Sequence, residues 1–344
     1  MSAAPEVGWP PAWDVERVRA DFPILERKVH GKPLVYLDTA ASAQRPRAVI
    51  EATDRFYRQH NANIHRGVHL LSQEATDLYE TARRAMAGFL NAPAAEEVVF
   101  TRGTTEAINL VAQAYLRPKL QPGDEIVVSR MEHHANIVPW QMLRDATGAE
   151  LQVIPINERG ELLLDELEGM LSERVKLLGI VHVSNALGTV NPVAEVCRMA
   201  KKYDIPVLVD GAQALPHLRV DVQELGCAFY CCSAHKVYGP TGIGALWARE
   251  QTLEAMPPWQ GGGEMIERVT FEKTTWNGLP NKFEAGTPNI AGGVGFGAAI
   301  ACDETMRRPR NNVTMLFMLF TDQLLDGHKL NGFEACCLRI ALQA

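Results

Sequence analysis

The chain has 344 residues, of which 47% are hydrophobic and 22% charged, so it is long enough to bury one large core and a smaller unit. A formal net charge of −7 argues against nucleic acid or an anionic membrane as the main partner. Seven cysteines without a CxxC pair, no secretory signal pattern and no apolar run of membrane-spanning length together predict a soluble, cytoplasmic protein with reduced thiols.

The first part of the chain is predicted to be mainly helical. A short helix is expected over residues 13–22, and a strand over residues 34–38 leads into a turn of small residues. Residues 72–90 place apolar side chains at helical spacing, which predicts a helix that faces the core. Before that helix, the polar loop with His65 and Arg66 could bind a carboxylate or lie in solvent.

The middle of the chain alternates predicted strands with helical stretches. Short apolar runs that are typical of buried strands occupy residues 97–101, 125–129, 151–156, 177–183, 206–209, 227–233 and 245–248. This alternation predicts right-handed βαβ crossovers, an α/β fold and a mostly parallel sheet. Because such sheets bind ligands at the carboxyl ends of their strands, we expect several strand ends to converge on one crevice.

Two loops that follow neighbouring strands carry the residues with the clearest chemistry. Asp210 follows one buried strand, and Lys236 follows the next. A lysine amine can form a Schiff base with an aldehyde, and a carboxylate can hold a pyridine nitrogen protonated, so the two residues fit pyridoxal phosphate (PLP). The alternative is a solvated loop lysine beside an aspartate that forms a turn.

Other strand ends offer further polar groups. Thr104 and Thr105 stand where a helix begins, so its free N–H groups could bind a phosphate, although a simple N-cap is the commoner meaning. His133 and His134 are adjacent, but chain neighbours rarely converge on one ion, so no metal site is predicted. Asn185 could donate to a cofactor oxygen or form an Asx turn.

Asp-Gly-Ala-Gln at 210–213 and Ser-Ala-His-Lys at 233–236, each after a buried strand, resemble the class V aminotransferases. These are fold-type I PLP enzymes, and within them the chain is similar to cysteine desulfurases of the SufS type. The resemblance covers roughly residues 14–299. It implies an N-terminal arm over residues 1–30, a large PLP-binding domain over residues 31–300 and an incomplete C-terminal segment over residues 301–344.

The resemblance implies a role for each candidate site residue. Lys236 would carry the cofactor and remove the Cα proton, Asp210 would pair with the pyridine nitrogen, and His133 would stack on the ring and act as an acid or base. The phosphate would bind Thr104, Thr105, Ser233 and His235, and the phenolic oxygen would bind Asn185 and Gln213. Thr287 would reach the phosphate of a neighbouring subunit, which implies a homodimer. His65 and the turn at residues 39–42 would lie near the substrate, and His134 would be structural.

The implied reaction converts L-cysteine to L-alanine and passes sulfur to an acceptor protein for iron–sulfur cluster assembly. A selenocysteine lyase-like enzyme would share the ring chemistry. After residue 300 the chain departs from the family, because the Arg-x-Gly-x-His-Cys setting of the nucleophile and the carboxylate-binding arginine do not occur in it. Cys336 and Cys337 stand between Ala335 and Leu338, which favours buried thiols over a nucleophile. A PLP-binding but desulfurase-inactive chain, truncated or acting as a dimer partner, is therefore an alternative.

Overall fold

The computed structural model of the chain describes residues 15–65 and 67–307. Its helices are α1 (Val15–Ala20), α2 (Arg47–Arg55), α3 (Leu70–Phe89), α4 (Thr104–Leu110), α5 (Val138–Thr147), α6 (Leu164–Met170), α7 (Val193–Lys201), α8 (Val222–Leu225), α9 (Glu250–Ala255) and α10 (Ile290–Arg307). α2 and α4 continue as π-helical turns over Phe56–His60 and Val111–Leu116. The predicted arm helix and the long helix before residue 90 are both present as α1 and α3.

Strands make up one large sheet and two small hairpins. The strands are β1 (Lys28–Val29), β2 (Lys32–Pro33), β3 (Val98–Thr101), β4 (Glu125–Ser129), β5 (Glu150–Ile154), β6 (Val175–Val181), β7 (Val207–Asp210), β8 (Phe229–Ser233), β9 (Gly244–Ala248), β10 (Ile266–Val269) and β11 (Thr274–Trp276). β1 pairs with β2, and β10 pairs with β11. All seven strands predicted from residue 97 onward are confirmed, within a few residues at their ends.

The large sheet has the strand order β3-β9-β8-β7-β6-β4-β5. Its pairs are parallel except that β9 runs antiparallel to both β8 and β3. β3, β4, β6, β7 and β8 therefore all end at the same edge of the sheet. A mostly parallel sheet with helices on both sides confirms the predicted fold class.

The sheet lies between two hydrophobic layers, and adjacent residues of one strand contribute to opposite layers. In β7, Val209 packs with the layer that contains α3, α7 and α10, whereas Leu208 packs with the layer that contains α4, α5 and α9. α10 packs closely on α3, because a Cβ at Gly297 would lie only 2.7 Å from the Cβ of Ala82. α10 also runs continuously through residue 300, where the sequence predicted a domain boundary.

One predicted strand is wrong. Residues 34–38 form no strand and join no sheet in the described part of the chain. The backbone after residue 38 is attached to the turn that follows β8, because the Ala43 N–H donates to the carbonyl of His235 at 2.9 Å. Within residues 15–65 and 67–307, no helix combines the length and the apolar character needed to cross a membrane.

Candidate active site

A cavity of about 420 Å³ opens at the edge of the sheet where the parallel strands end. Among the predicted site residues, its walls contain Thr104, Thr105, His133, Asn185, Asp210, Gln213, Ser233, His235 and Lys236. These residues follow five different strands, so the predicted convergence of strand ends on one crevice is confirmed. Thr287 does not line this cavity; its side chain is exposed on the segment before α10.

Asp210 is the last residue of β7 and is buried at the floor of the cavity. Its Oδ1 accepts a hydrogen bond from the Ala212 N–H at 3.0 Å. Burial raises the pKa of this carboxyl group, against the opposing effects of the Ala212 N–H, Lys236 and His133. Among the described residues no cation lies within ion-pair distance of Asp210, so the site offers a buried carboxylate to a cationic ligand.

The turn after Asp210 packs closely against the adjacent strand β8. A Cβ at Gly211 would lie 2.1 Å from Cζ of Tyr230, a buried side chain on the adjacent strand β8. Only glycine leaves room for that ring. The Gly211 N–H also donates to the carbonyl of Cys231 at 2.9 Å, which continues the β7–β8 pairing to the edge of the cavity.

Lys236 ends the short 3₁₀ turn that follows β8. The Ala234 N–H donates to the carbonyl of Ile243, which fixes the start of this turn against the next segment. Burial lowers the pKa of the Lys236 amine, and the charge of Asp210 partly opposes that effect. The amine therefore loses its proton more readily than a solvated lysine, as a nucleophile or a base requires.

At the predicted phosphate position, Ser233 at the end of β8 connects that strand to the start of α4. Its Oγ lies 2.8 Å from both the N atom and Oγ1 of Thr104, the first residue of α4. Gly103, the residue before Thr104, has φ +149°. A Cβ at Gly244 would lie 2.5 Å from the Cα of Gly103. Two glycines thus let β8, β9 and the start of α4 come together.

His133 lies on the turn after β4. Its Nδ1 accepts from the Ala135 N–H at 3.1 Å, so the proton of the neutral ring is on Nε2. Burial lowers the pKa of the imidazole, Lys236 and His134 act in the same direction, and Asp210 opposes them. His134 is exposed, with its ring centroid 5.6 Å from that of His133.

His65 lies outside the cavity wall. Its Nε2 is 3.1 Å from Glu80 Oε1, and its Nδ1 is 3.9 Å from Glu264 Oε2. It belongs to a charged group around Arg83, whose buried guanidinium pairs with Glu284 at 2.6 Å. Arg66, Cys336 and Cys337 lie outside the described residues.

Sequence reasoning missed two acidic residues at the site. Asp38 lines the cavity, just before the turn whose Ala40 carbonyl accepts from Gln213 Nε2 at 2.7 Å. Glu132 lies buried behind the wall, and burial raises its pKa to about 8 against the hydrogen bonds from Ser129, Asn136 and Val181. Two of its partners, Ser129 and Asn136, lie three residues before and four residues after Glu132 in the sequence.

The five described cysteines are free thiols, and none of them lines the cavity. Burial raises the pKa of Cys197 and Cys232 to about 12 and that of Cys302 to about 11, which makes them poor nucleophiles. Over the same described ranges, no cluster of three or more His, Cys, Asp and Glu side chains could hold a metal ion.

The residues present fit PLP. A buried carboxylate without an ion-pair partner, an amine with a lowered pKa and a helix start tied to Ser233 correspond to the pyridine nitrogen, the aldehyde and the phosphate of that cofactor. The mostly parallel sheet and this cavity define a fold-type I PLP-dependent enzyme.

Comparison with known proteins gives the family. The model of the aminotransferase class-V family matches residues 35–310. The cysteine desulfurase of Klebsiella pneumoniae subsp. pneumoniae is 58% identical over 289 residues, which cover 84% of this chain and 71% of that protein. The crystal structure of the cysteine desulfurase CsdA of Escherichia coli matches 84% of this chain and 71% of its own, with 45% identity and a TM-score of 0.78. The apo cysteine desulfurase of Thermococcus onnurineus NA1 matches 85% of this chain and 71% of its own, at 39% identity and a TM-score of 0.80. The chain belongs to the class V aminotransferases and, within them, to the PLP-dependent cysteine desulfurases of the SufS/CsdA type.

Proposed function

We propose that the chain acts on L-cysteine in the cavity at the edge of the large sheet, with PLP attached to Lys236. One observation carries the proposal: an amine whose pKa burial lowers and a buried carboxylate without an ion-pair partner line the same cavity. When bound, PLP supplies an electron sink for the electron pair that remains on the substrate Cα after its proton leaves.

Each cavity side chain has a task in this proposal. Lys236 Nζ would hold the cofactor before the substrate binds and, once the substrate amine has displaced it, would take the Cα proton, and Asp210 would hold the pyridine nitrogen in its protonated state. The neutral imidazole of His133 covers the ring and can donate from Nε2. Thr104, Thr105, Ser233 and His235 would hold the phosphate of the cofactor, and Asn185 and Gln213 would hold its phenolic oxygen.

The overall reaction transfers one sulfur atom. L-cysteine and an acceptor thiol give L-alanine and a persulfide on the acceptor, so the Cβ–S bond of the substrate breaks and an S–S bond forms. We assign the final acceptor to a protein of iron–sulfur cluster assembly in the cytoplasm, where the free thiols of this chain stay reduced. The working unit is a homodimer in which Thr287 reaches the partner's phosphate.

Sulfur transfer also requires a thiol that takes the sulfur atom from the substrate. Four of the five described cysteines are buried, Cys302 is half-buried, and none of the five lines the cavity. Cys336 and Cys337 remain as candidates within the chain, and the sequence around them does not favour a nucleophile. A PLP-binding chain that removes the Cα proton but does not transfer sulfur is therefore the second candidate function.

The deciding experiment incubates the PLP-loaded protein with L-cysteine and a reductant in deuterated water. Exchange of the Cα hydrogen, L-alanine and sulfide are measured together. Exchange that is lost in Lys236→Ala supports the proposed site, and no exchange in the wild-type chain would refute it. Lys176→Ala is the matched control, because Lys176 pairs with Asp124 away from the cavity.

The sulfide measurement separates the two candidate functions. Sulfide formation that Cys336→Ser or Cys337→Ser abolishes would assign the nucleophile to the tail. Hydrogen exchange without sulfide would assign the chain to the second function, unless a thiol protein added in trans restores transfer. From the sequence around residues 336 and 337, we expect exchange with little sulfide.

A further inference from the structure

We propose that Glu132 is a positioning residue that, by hydrogen bonds to three segments, holds the turn carrying His133 and so sets which nitrogen of the His133 ring carries the proton. The consequence for PLP rests on the proposed function. The statement about the His133 ring does not, because it concerns the protein without cofactor.

Glu132 lies directly behind the cavity wall and is buried. Its Oε1 accepts from Ser129 Oγ at 2.5 Å and from the Val181 N–H at 2.7 Å, and its Oε2 accepts from Asn136 Nδ2 at 2.7 Å. These partners belong to the end of β4, the end of β6 and the turn after His133. Val181 itself lines the cavity, so one carboxylate ties the His133 turn to the neighbouring strand at the site.

The orientation of the Asn136 amide is fixed from its other side. Trp140 Nε1, which can only donate, donates to Asn136 Oδ1 at 2.9 Å. Asn136 Nδ2 must therefore face Glu132. Close packing of the amide on β6 reinforces this arrangement, because a Cβ at Gly179 would lie 3.1 Å from Asn136 Oδ1.

Position 132 consequently needs an acceptor lone pair on both of its terminal atoms, which a carboxyl group provides in either protonation state, because its proton can point at Ser129 Oγ. The Val181 N–H points at one atom and Asn136 Nδ2 at the other, and neither donor can reverse its direction. A glutamine has the same shape, but it would place its NH₂ group against one of these two donors. A buried mismatch of this kind displaces at least one of the partners.

The partners of Glu132 are also the frame of the His133 ring. The Asn136 N–H donates to the carbonyl of His133 at 2.8 Å, which closes the turn. Inside this turn the Ala135 N–H reaches His133 Nδ1 at 3.1 Å and leaves the proton on Nε2. His133 and Ala135 both line the cavity, so a turn that loosens at Asn136 frees the ring and mixes its two tautomers.

The first test uses ¹⁵N-labelled histidine and NMR on the protein without PLP. Wild-type His133, assigned from the spectrum of His133→Asn, is expected as the single Nε2–H tautomer. Glu132→Gln is expected to show both tautomers, and its PLP dissociation constant is expected to rise about tenfold, which corresponds to about 1.4 kcal/mol. An unchanged single tautomer in Glu132→Gln would overturn the proposal whatever happens to PLP binding.

Glu97→Gln is the matched control. Glu97 is also buried and also accepts two N–H donors, from Trp247 Nε1 and Glu250 N, both at 3.0 Å, but it lies outside the cavity wall. It is expected to lower thermal stability and to leave the His133 tautomer and the PLP dissociation constant unchanged. Mixed tautomers in this variant as well would assign the effect to general loosening and refute the specific role.

A rescue variant keeps the proposal testable if Glu132→Gln does not fold. In Glu132→Gln/Asn136→Asp the new amide donates to the new carboxylate, which still accepts from Trp140, while the amide oxygen accepts from Val181. The N–H groups of Val181, Trp140 and the new amide each face an acceptor again, so the double variant is expected to fold and to recover the Nε2–H tautomer. A double variant that is unfolded or keeps mixed tautomers would refute the hydrogen-bond pattern as the cause.

Discussion

Asp210→Asn is expected to weaken PLP binding and at the same time to stabilise the protein without PLP. The substitution keeps the shape of the side chain, and its oxygen can still accept from the Ala212 N–H. It removes the charge that a protonated pyridine nitrogen requires. A hydrogen bond to a charged group contributes about 1.5–3 kcal/mol, so the PLP dissociation constant should rise roughly ten- to a hundredfold.

The stability of the apoprotein should change in the opposite direction. Burial raises the native pKa of Asp210 above its ordinary value of 3.8, so the folded chain binds this proton more tightly than the unfolded chain. The contribution of this carboxyl group to stability is therefore complete in acid and is lost as the pH rises through its native pKa. An asparagine does not ionise, so the variant should match the wild type in acid and exceed it at neutral pH.

Urea unfolding of the two apoproteins at acidic and neutral pH, with PLP titration by absorbance, measures both effects. Asp38→Asn is the control, because Asp38 lines the same cavity but is exposed, and it should change neither quantity much. An Asp210→Asn apoprotein that is less stable than wild type at neutral pH would refute the reasoning from burial. Unchanged PLP affinity would refute the pairing with the pyridine nitrogen.

Three further predictions concern the surroundings of the cavity. Arg83→Met should lower the free energy of unfolding by about 3–5 kcal/mol, because the buried Glu284 carboxylate loses its guanidinium partner; urea unfolding measures this, and a much smaller loss would contradict it. Gly211→Ala should reduce PLP affinity, measured by absorbance titration, because its Cβ would overlap the Tyr230 ring and displace the Asp210 turn; unchanged affinity would count against this packing. Thr287→Val should make PLP retention fall more steeply on dilution, measured by absorbance with analytical ultracentrifugation, and a monomer that retains PLP would exclude the shared site.

Two control variants separate these effects from general damage. Arg58→Met removes an exposed arginine that pairs with Asp54 on the surface, so it should change stability little. Gly169→Ala lies in α6 with no atom within 4 Å of the new Cβ, so it should stabilise the protein by about 0.5–1 kcal/mol. A large loss of stability in either control would show that the packing arguments are too simple.

The sequence predicted the central sheet well because each strand there is a short buried run between turn residues. β4 is recovered to the residue, and β7 and β8 end at the polar residues that reach the cavity. The strand predicted at residues 34–38 was wrong because the same local pattern occurs there without a neighbouring strand. Its apolar residues satisfy the local pattern, but a strand also needs a partner, and local sequence does not encode one.

The predicted residues that line the cavity could be grouped from the sequence because they end or follow strands, and the topology of a parallel sheet brings such residues together. Glu132 also follows a strand, but that rule does not reveal its hydrogen bonds. Its importance comes from donors on three segments, one of them Val181, which is 49 residues away in the chain. Asp38 was missed because its segment is placed by contacts of the following turn with Gln213 and His235, and these contacts exist only in the folded chain.

The cavity contains two ionisable side chains, Asp210 and Lys236, whose charged forms are destabilised by burial. Burial disfavours the charged form of Asp210 and also that of Lys236, and the described chain gives neither one an ion-pair partner. A ligand with a cationic ring nitrogen and an aldehyde removes both penalties, one by ion pairing and one by converting the amine. Because such a ligand binds the folded state more tightly than the unfolded chain, the difference in binding free energy adds to the stability of the fold. The features that prepare this site for chemistry therefore also couple the stability of the protein to its cofactor.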